Sequence, residues 1–144
     1  MMVRSSSLKT ECLSLLLTVA RWHPLRPLVG ILYRHMNCFL PVDRLCENAY
    51  WTAFHHPQPD YPLHILILPK EDITSLLLSP THDPGLYADL FLLVHQLIEK
   101  FDLEANGYRL VTNGGPNQSI PIWHWHLVCE ASCKGSAEPG DPHA

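Results

Sequence analysis

One run of residues near the C-terminal end constrains this chain more than any other: Ile122-Trp123-His124-Trp125-His126-Leu127-Val128. Aromatic and β-branched residues favour strands, and strand side chains alternate between faces. Ile122, His124, His126 and Val128 therefore share one face, and Trp123, Trp125 and Leu127 share the other. The tryptophan face can enter a core, which leaves two imidazoles side by side on a sheet surface. Asn113-Gly114-Gly115-Pro116-Asn117 lies just upstream. Glycines let the backbone approach a ligand closely, and exposed N–H groups suit anions. Neutral histidine is a nucleophile that can attack phosphorus, and a second histidine can donate to the charge that develops. A glycine loop beside paired histidines thus points to phosphate chemistry.

The rest of the chain reads as short strands around one long helix. Leu45-Cys46 and Tyr50-Trp51-Thr52-Ala53-Phe54 form a strand pair that turns at Glu47-Asn48. His55 to Pro62 is a proline-stiffened loop. His64 to Leu68 is a buried strand, with His64, Leu66 and Leu68 on one face and Ile65 and Ile67 on the other. Pro69-Lys70 ends it. Glu71 to Leu78 is expected as a short helix, because its acidic residues fall in the first turn, where the dipole favours them. Asp83 as N-cap and Pro84 at the first position start the long helix. It runs to about Phe101, with Leu86, Leu90, Leu93, Val94, Leu97 and Phe101 on one apolar stripe. Asn106-Gly107 closes the turn before a strand over Tyr108 to Thr112.

A chain of 144 residues suits one domain. Its net charge of −4, with no run of Lys and Arg, argues against a nucleic-acid polymer as partner. The cysteines, Cys12, Cys38, Cys46, Cys129 and Cys133, are odd in number and irregularly spaced. They are expected as free thiols in a reducing compartment, which places the protein in the cytoplasm. Residues 1–35 are expected as a helical extension. Its apolar stretch, Cys12 to Ala20, is far shorter than the roughly 20 residues of a membrane-spanning helix. That stretch reads as a docking helix rather than a leader. Residues 36–130 form the domain, and 131–144 a flexible tail.

Two blocks resemble the signatures of the histidine-triad (HIT) family. Tyr108 to Gly115, followed by Gln118-Ser119-Ile120 and His124-Trp125-His126-Leu127, is similar to one. His64-Ile65-Leu66-Ile67-Leu68-Pro69-Lys70 is similar to the other, and a helix separates them. The resemblance covers residues 36 to 130. It implies an α+β fold, with an antiparallel sheet of about five strands, one long helix and here extra N-terminal helices. It also implies a homodimer and a nucleotide hydrolase or transferase acting through a nucleotidyl-histidine. The resemblance puts the nucleophile at His124, with His126, Ser119 and His64 as further catalytic residues. Asn113, Gly114, Gly115 and Gln118 become the substrate-binding set. The chain departs from the family where Ile122 takes the place of the first histidine, and near His56, where an acidic residue often holds the ribose.

Each feature also has a plainer reading. His124 and His126 on spacing alone could be ordinary half-buried histidines, and His64 a core histidine. Ser119 and Asn113 could be turn residues. His55 and His56 read as solvated loop residues, and His95 as exposed on the helix. A serine hydrolase lacks its Gly-x-Ser-x-Gly elbow. A zinc site on His124 and His126 lacks an evident third ligand, so no metal and no cofactor are expected. The two functions carried forward are a nucleotide hydrolase or transferase and, because of Ile122, a nucleotide-binding module with little turnover.

Overall fold

The computed structural model describes residues 44–131. The expected extension over 1–35, the start of the domain at 36 and nearly all of the tail fall outside these residues. Five strands, β1 (Arg44–Glu47), β2 (Trp51–His55), β3 (Leu63–Pro69), β4 (Arg109–Thr112) and β5 (Trp125–Cys129), form one sheet. Every neighbouring pair is antiparallel, in the order β1-β2-β3-β5-β4. The helices are α1 (Pro84–Phe101) and a single turn, α2 (Leu103–Asn106). The expected α+β architecture is met, although α2 reads as a plain turn in the sequence.

Asn48 makes the β1–β2 turn. Its Oδ1 accepts from the backbone of Tyr50 and Trp51 at 3.2 and 2.9 Å, the local bonding that favours Asn in turns. Its Nδ2 donates to the Asp89 carbonyl at 2.7 Å and so ties the hairpin to α1. Helix α1 begins as expected, with the Asp83 side chain accepting from the Gly85 N–H at 3.0 Å. Its buried residues are the six of the predicted stripe. They pack with Trp51, Ala53, Ile65, Ile67, Trp123 and Leu127 into one core. The Trp51 indole N–H donates to the Leu86 carbonyl at 2.7 Å, and its ring meets Trp123 edge-on at 5.3 Å. The tryptophan face of the histidine strand therefore enters the core as its alternation requires, and Trp125 packs half-buried at its margin.

Two expectations need correction. The helix over Glu71 to Leu78 does not form; only Leu76–Leu78 makes a 3₁₀ turn. The Ile73 carbonyl accepts from the Trp123 backbone N–H at 2.8 Å, and the Thr74 carbonyl accepts from Gln118 Nε2 at 2.7 Å. Those carbonyls brace the segment that leads into β5, so they are not available to a helical ladder. The expectation of free thiols holds at Cys46 but fails at Cys129, which is disulfide-bonded. Pairing depends on the spatial approach of two Cα atoms, which irregular spacing in sequence does not exclude.

Candidate active site

His64 on β3 and His126 on β5 are set by the register of the two strands. Leu66 pairs with His126 and His64 with Val128, which makes the two histidines diagonal neighbours on one face. His64 Nε2 and His126 Nδ1 lie 2.9 Å apart. The Asp60 backbone N–H donates to His64 Nδ1 at 3.2 Å, which fixes that nitrogen as an acceptor. Neutral His64 then carries its proton on Nε2 and donates it to His126 Nδ1. His126 in turn keeps its proton on Nε2, where it is a donor.

His124 lies just ahead of β5 and is 1% exposed. Its Nδ1 is 2.7 Å from the Ile122 carbonyl, which can only accept. Nδ1 therefore holds the proton, and Nε2 presents a lone pair. Its backbone is clamped on both sides. Thr112 Oγ1 donates to the His124 carbonyl at 2.8 Å and accepts from the Trp123 indole at 3.0 Å. The rings of His124 and His126 meet edge-on with centroids 4.9 Å apart.

Burial keeps these imidazoles neutral. It lowers the His124 pKa, opposed by the hydrogen bond to the Ile122 carbonyl. Burial, then the neighbouring His56, pushes His64 down to about 4, against the pull of Asp60. Burial, followed by His124, His64 and His56, pushes His126 down to about 3.

Of the expected site residues, His64, His126 and Asn113 line one cleft of about 400 Å³, together with Asp60, Tyr61 and Arg109. Ser119, Gly114 and Gly115 are exposed beside the strand. Gly115, at φ 56°, takes the left-handed conformation that glycine allows without strain. Gln118 is buried, and its Nε2 donates to the Thr74 and Ile120 carbonyls at 2.7 and 2.8 Å. That amide nitrogen braces the loop rather than facing a ligand. Ile122 is 3% exposed and adds no donor where the family resemblance would put a histidine.

The residue that sequence reasoning missed is His56. It stacks on His64 with ring centroids 4.1 Å apart and planes 11° apart. Its signal in the sequence was faint. The antiparallel pairing of β2 with β3 returns residue 56 to the start of β3, where the His56 backbone N–H reaches the His64 carbonyl at 2.7 Å.

Comparison with known proteins places this geometry. The family model described as HIT domain matches residues 40–132. An uncharacterized HIT-like protein of Synechococcus elongatus is 33% identical over 88 residues, which cover 61% of this chain and 76% of that protein. A HIT family hydrolase from Legionella pneumophila superposes with a TM-score of 0.63 at 26% identity, covering 76% of this chain and 98% of its own. A histidine triad nucleotide-binding protein from Candida albicans gives a TM-score of 0.59 at 26% identity, covering 79% and 85%. With its sheet, its long helix and the paired histidines at the start of β5, this chain belongs to the HIT family.

Proposed function

We propose that this protein hydrolyses or transfers a nucleotidyl group at the α-phosphate of a nucleoside phosphoramidate or dinucleoside polyphosphate. The observation that carries the reading is the 2.7 Å contact of His124 Nδ1 with the Ile122 carbonyl, which leaves Nε2 free to attack. In the first step Nε2 forms a bond to phosphorus while the bond to the leaving group breaks. The leaving group takes the electron pair and picks up a proton from solvent. His126, whose ring meets that of His124 edge-on with centroids 4.9 Å apart, carries its proton on Nε2 and stabilises the phosphoryl oxygens. His64 acts through His126 as a positioning residue. Ser119 and Asn113 bound the phosphate, and the glycine loop shapes the pocket. In the second step water attacks phosphorus and gives up a proton to solvent, the N–P bond breaks with its electron pair returning to Nε2, and His124 is regenerated.

Ile122 favours the second reading, a nucleotide-binding module with little turnover. Loss of one transition-state donor costs about 10²- to 10³-fold in rate, which slows such an enzyme without removing its nucleophile. Single-turnover incubation with a labelled adenosine phosphoramidate, followed by intact-mass detection, separates the two. The expected outcome is AMP release with a transient adenylyl adduct, both absent in His124→Ala, which still binds nucleotide. Binding without adduct or release in the unsubstituted chain would leave the binding module, and absence of any nucleotide binding would remove both. A homodimer completes the proposal.

A further inference from the structure

We propose that His56, His64 and His126 form a binding site for a divalent transition-metal ion of the zinc type. Each residue offers one ligand atom, and those atoms all lie within 4.8 Å of one another. In a tetrahedral site with Zn–N of about 2.0–2.1 Å, neighbouring nitrogens stand roughly 3.3 Å apart. His64 Nε2 and His126 Nδ1 are already 2.9 Å apart. The His56 ring lies 4.1 Å from that of His64 and 5.8 Å from that of His126, centroid to centroid. Small ring rotations bring the nitrogens onto one ion. His64 is buried on its strand, and His56 and His126 are half-buried. The three span a loop and two adjacent strands, so sheet pairing itself assembles the ligand set. The cluster offers only imidazole nitrogen, which suits Zn, Cu and Ni and not the oxygen-seeking Mg and Ca. Three protein ligands leave a fourth position for water or an exchangeable ligand.

The metal-free hydrogen bonds say what loading must change. The Asp60 N–H donates to His64 Nδ1 and the Gln58 N–H to His56 Nδ1, both at 3.2 Å. A metal on His64 Nε2 moves that ring's proton to Nδ1 and opens the Asp60 contact. A metal on either nitrogen of His56 opens the Gln58 contact. Both contacts are long, and both donors lie in the proline-rich loop between β2 and β3. The ion also replaces the proton shared between His64 and His126. If the proposed function holds, the metal-loaded form has lost the relay that positions His126, and zinc inhibits turnover.

The test is a zinc titration of the metal-stripped full chain by calorimetry, with cobalt(II) absorption as a second readout. The expected result is one equivalent bound, weakened in His56→Ala and unchanged in His95→Ala. Loss of outer-shell partners alone weakens metal sites by about 10- to 100-fold, so removal of a ligand should weaken this one by at least about tenfold. If His56→Ala does not fold, imidazole ¹⁵N shifts of the unsubstituted chain answer the same question. Zinc must then move the resonances of His56, His64 and His126 and leave His95 in place. No zinc binding, equal binding by His56→Ala, or shifts confined to other residues would overturn the proposal. Because binding is read without turnover, a chain that holds zinc through His56 and hydrolyses nothing would keep this inference and remove the proposed function.

Discussion

The carbonyl of Ile122 decides what His124 can do, because an acceptor at 2.7 Å leaves the ring only one tautomer. The side chain of the same residue supplies nothing to a phosphate. Ile122→His should therefore raise single-turnover rate, by up to the roughly 10²- to 10³-fold attached to one donor. An unchanged rate alongside unchanged nucleotide affinity would show that the missing donor does not limit the chemistry. The neighbouring imidazoles set the pH response. His64 and His126 titrate near 4 and 3, below the roughly 6.5 of an unfolded histidine. Between those values the unfolded chain binds more protons, so stability rises with pH. The stabilisation is complete above about 6.5 and is lost as pH falls through 4 towards 3. Chemical denaturation at pH 7.5, 6, 5, 4 and 3 (roughly spanning these values) should show that decline, and His64→Gln should flatten it. His124, His126 and His64 were legible in the sequence through alternation and family likeness. His56 was not, because its place beside His64 comes from a ring stacked across a loop, and no residue spacing encodes that.

Among the elements, α1 was legible to the residue, since its stripe and its Asp-Pro start are local properties. Its part in holding the sheet is measurable. Leu97 is fully buried against the sheet core, and Leu97→Ala should cost about 2–5 kcal/mol in denaturant unfolding. The segment 71–75 shows the limit of local reading. Its acidic first turn reads as a helix start, yet tertiary partners, Trp123 and Gln118, take its carbonyls. Thr112 plays a comparable part from β4, bonding both the His124 carbonyl and the Trp123 indole. Thr112→Val removes both bonds at nearly constant shape. We expect a stability loss of about 1–3 kcal/mol, because the indole N–H and the carbonyl lose a partner. We also expect slower adduct formation with little change in nucleotide affinity. A loss confined to affinity would mean that Thr112 acts on binding rather than on the position of His124.

At the scale of the whole molecule, the strand order β1-β2-β3-β5-β4 was not legible. Hydrophobic alternation fixes which face a strand buries but not which neighbour it takes, and β5 enters between β3 and β4 through pairings far apart in the chain. That order leaves β4 at an edge of the sheet among the described residues, with Val111 38% exposed. On α1, Phe91 and Leu92 are 58% and 54% exposed. An open strand edge is a template for pairing with another chain, and large exposed apolar side chains mark contact surfaces when they cluster. These features support the homodimer proposed above. Light scattering behind size exclusion should give twice the chain mass. Val111→Lys puts a charge on the edge strand, and Phe91→Glu puts one on the helix; either should shift the equilibrium towards monomer. Leu77 is the control, since it is 91% exposed but lies in the 3₁₀ turn and is part of neither β4 nor α1. Leu77→Glu should leave the mass unchanged. If Leu77→Glu alone dissociates the dimer, the partner surface is the leucine turn. If the unsubstituted chain runs as a monomer at all concentrations, the edge of β4 is a free edge and the site must work within one chain.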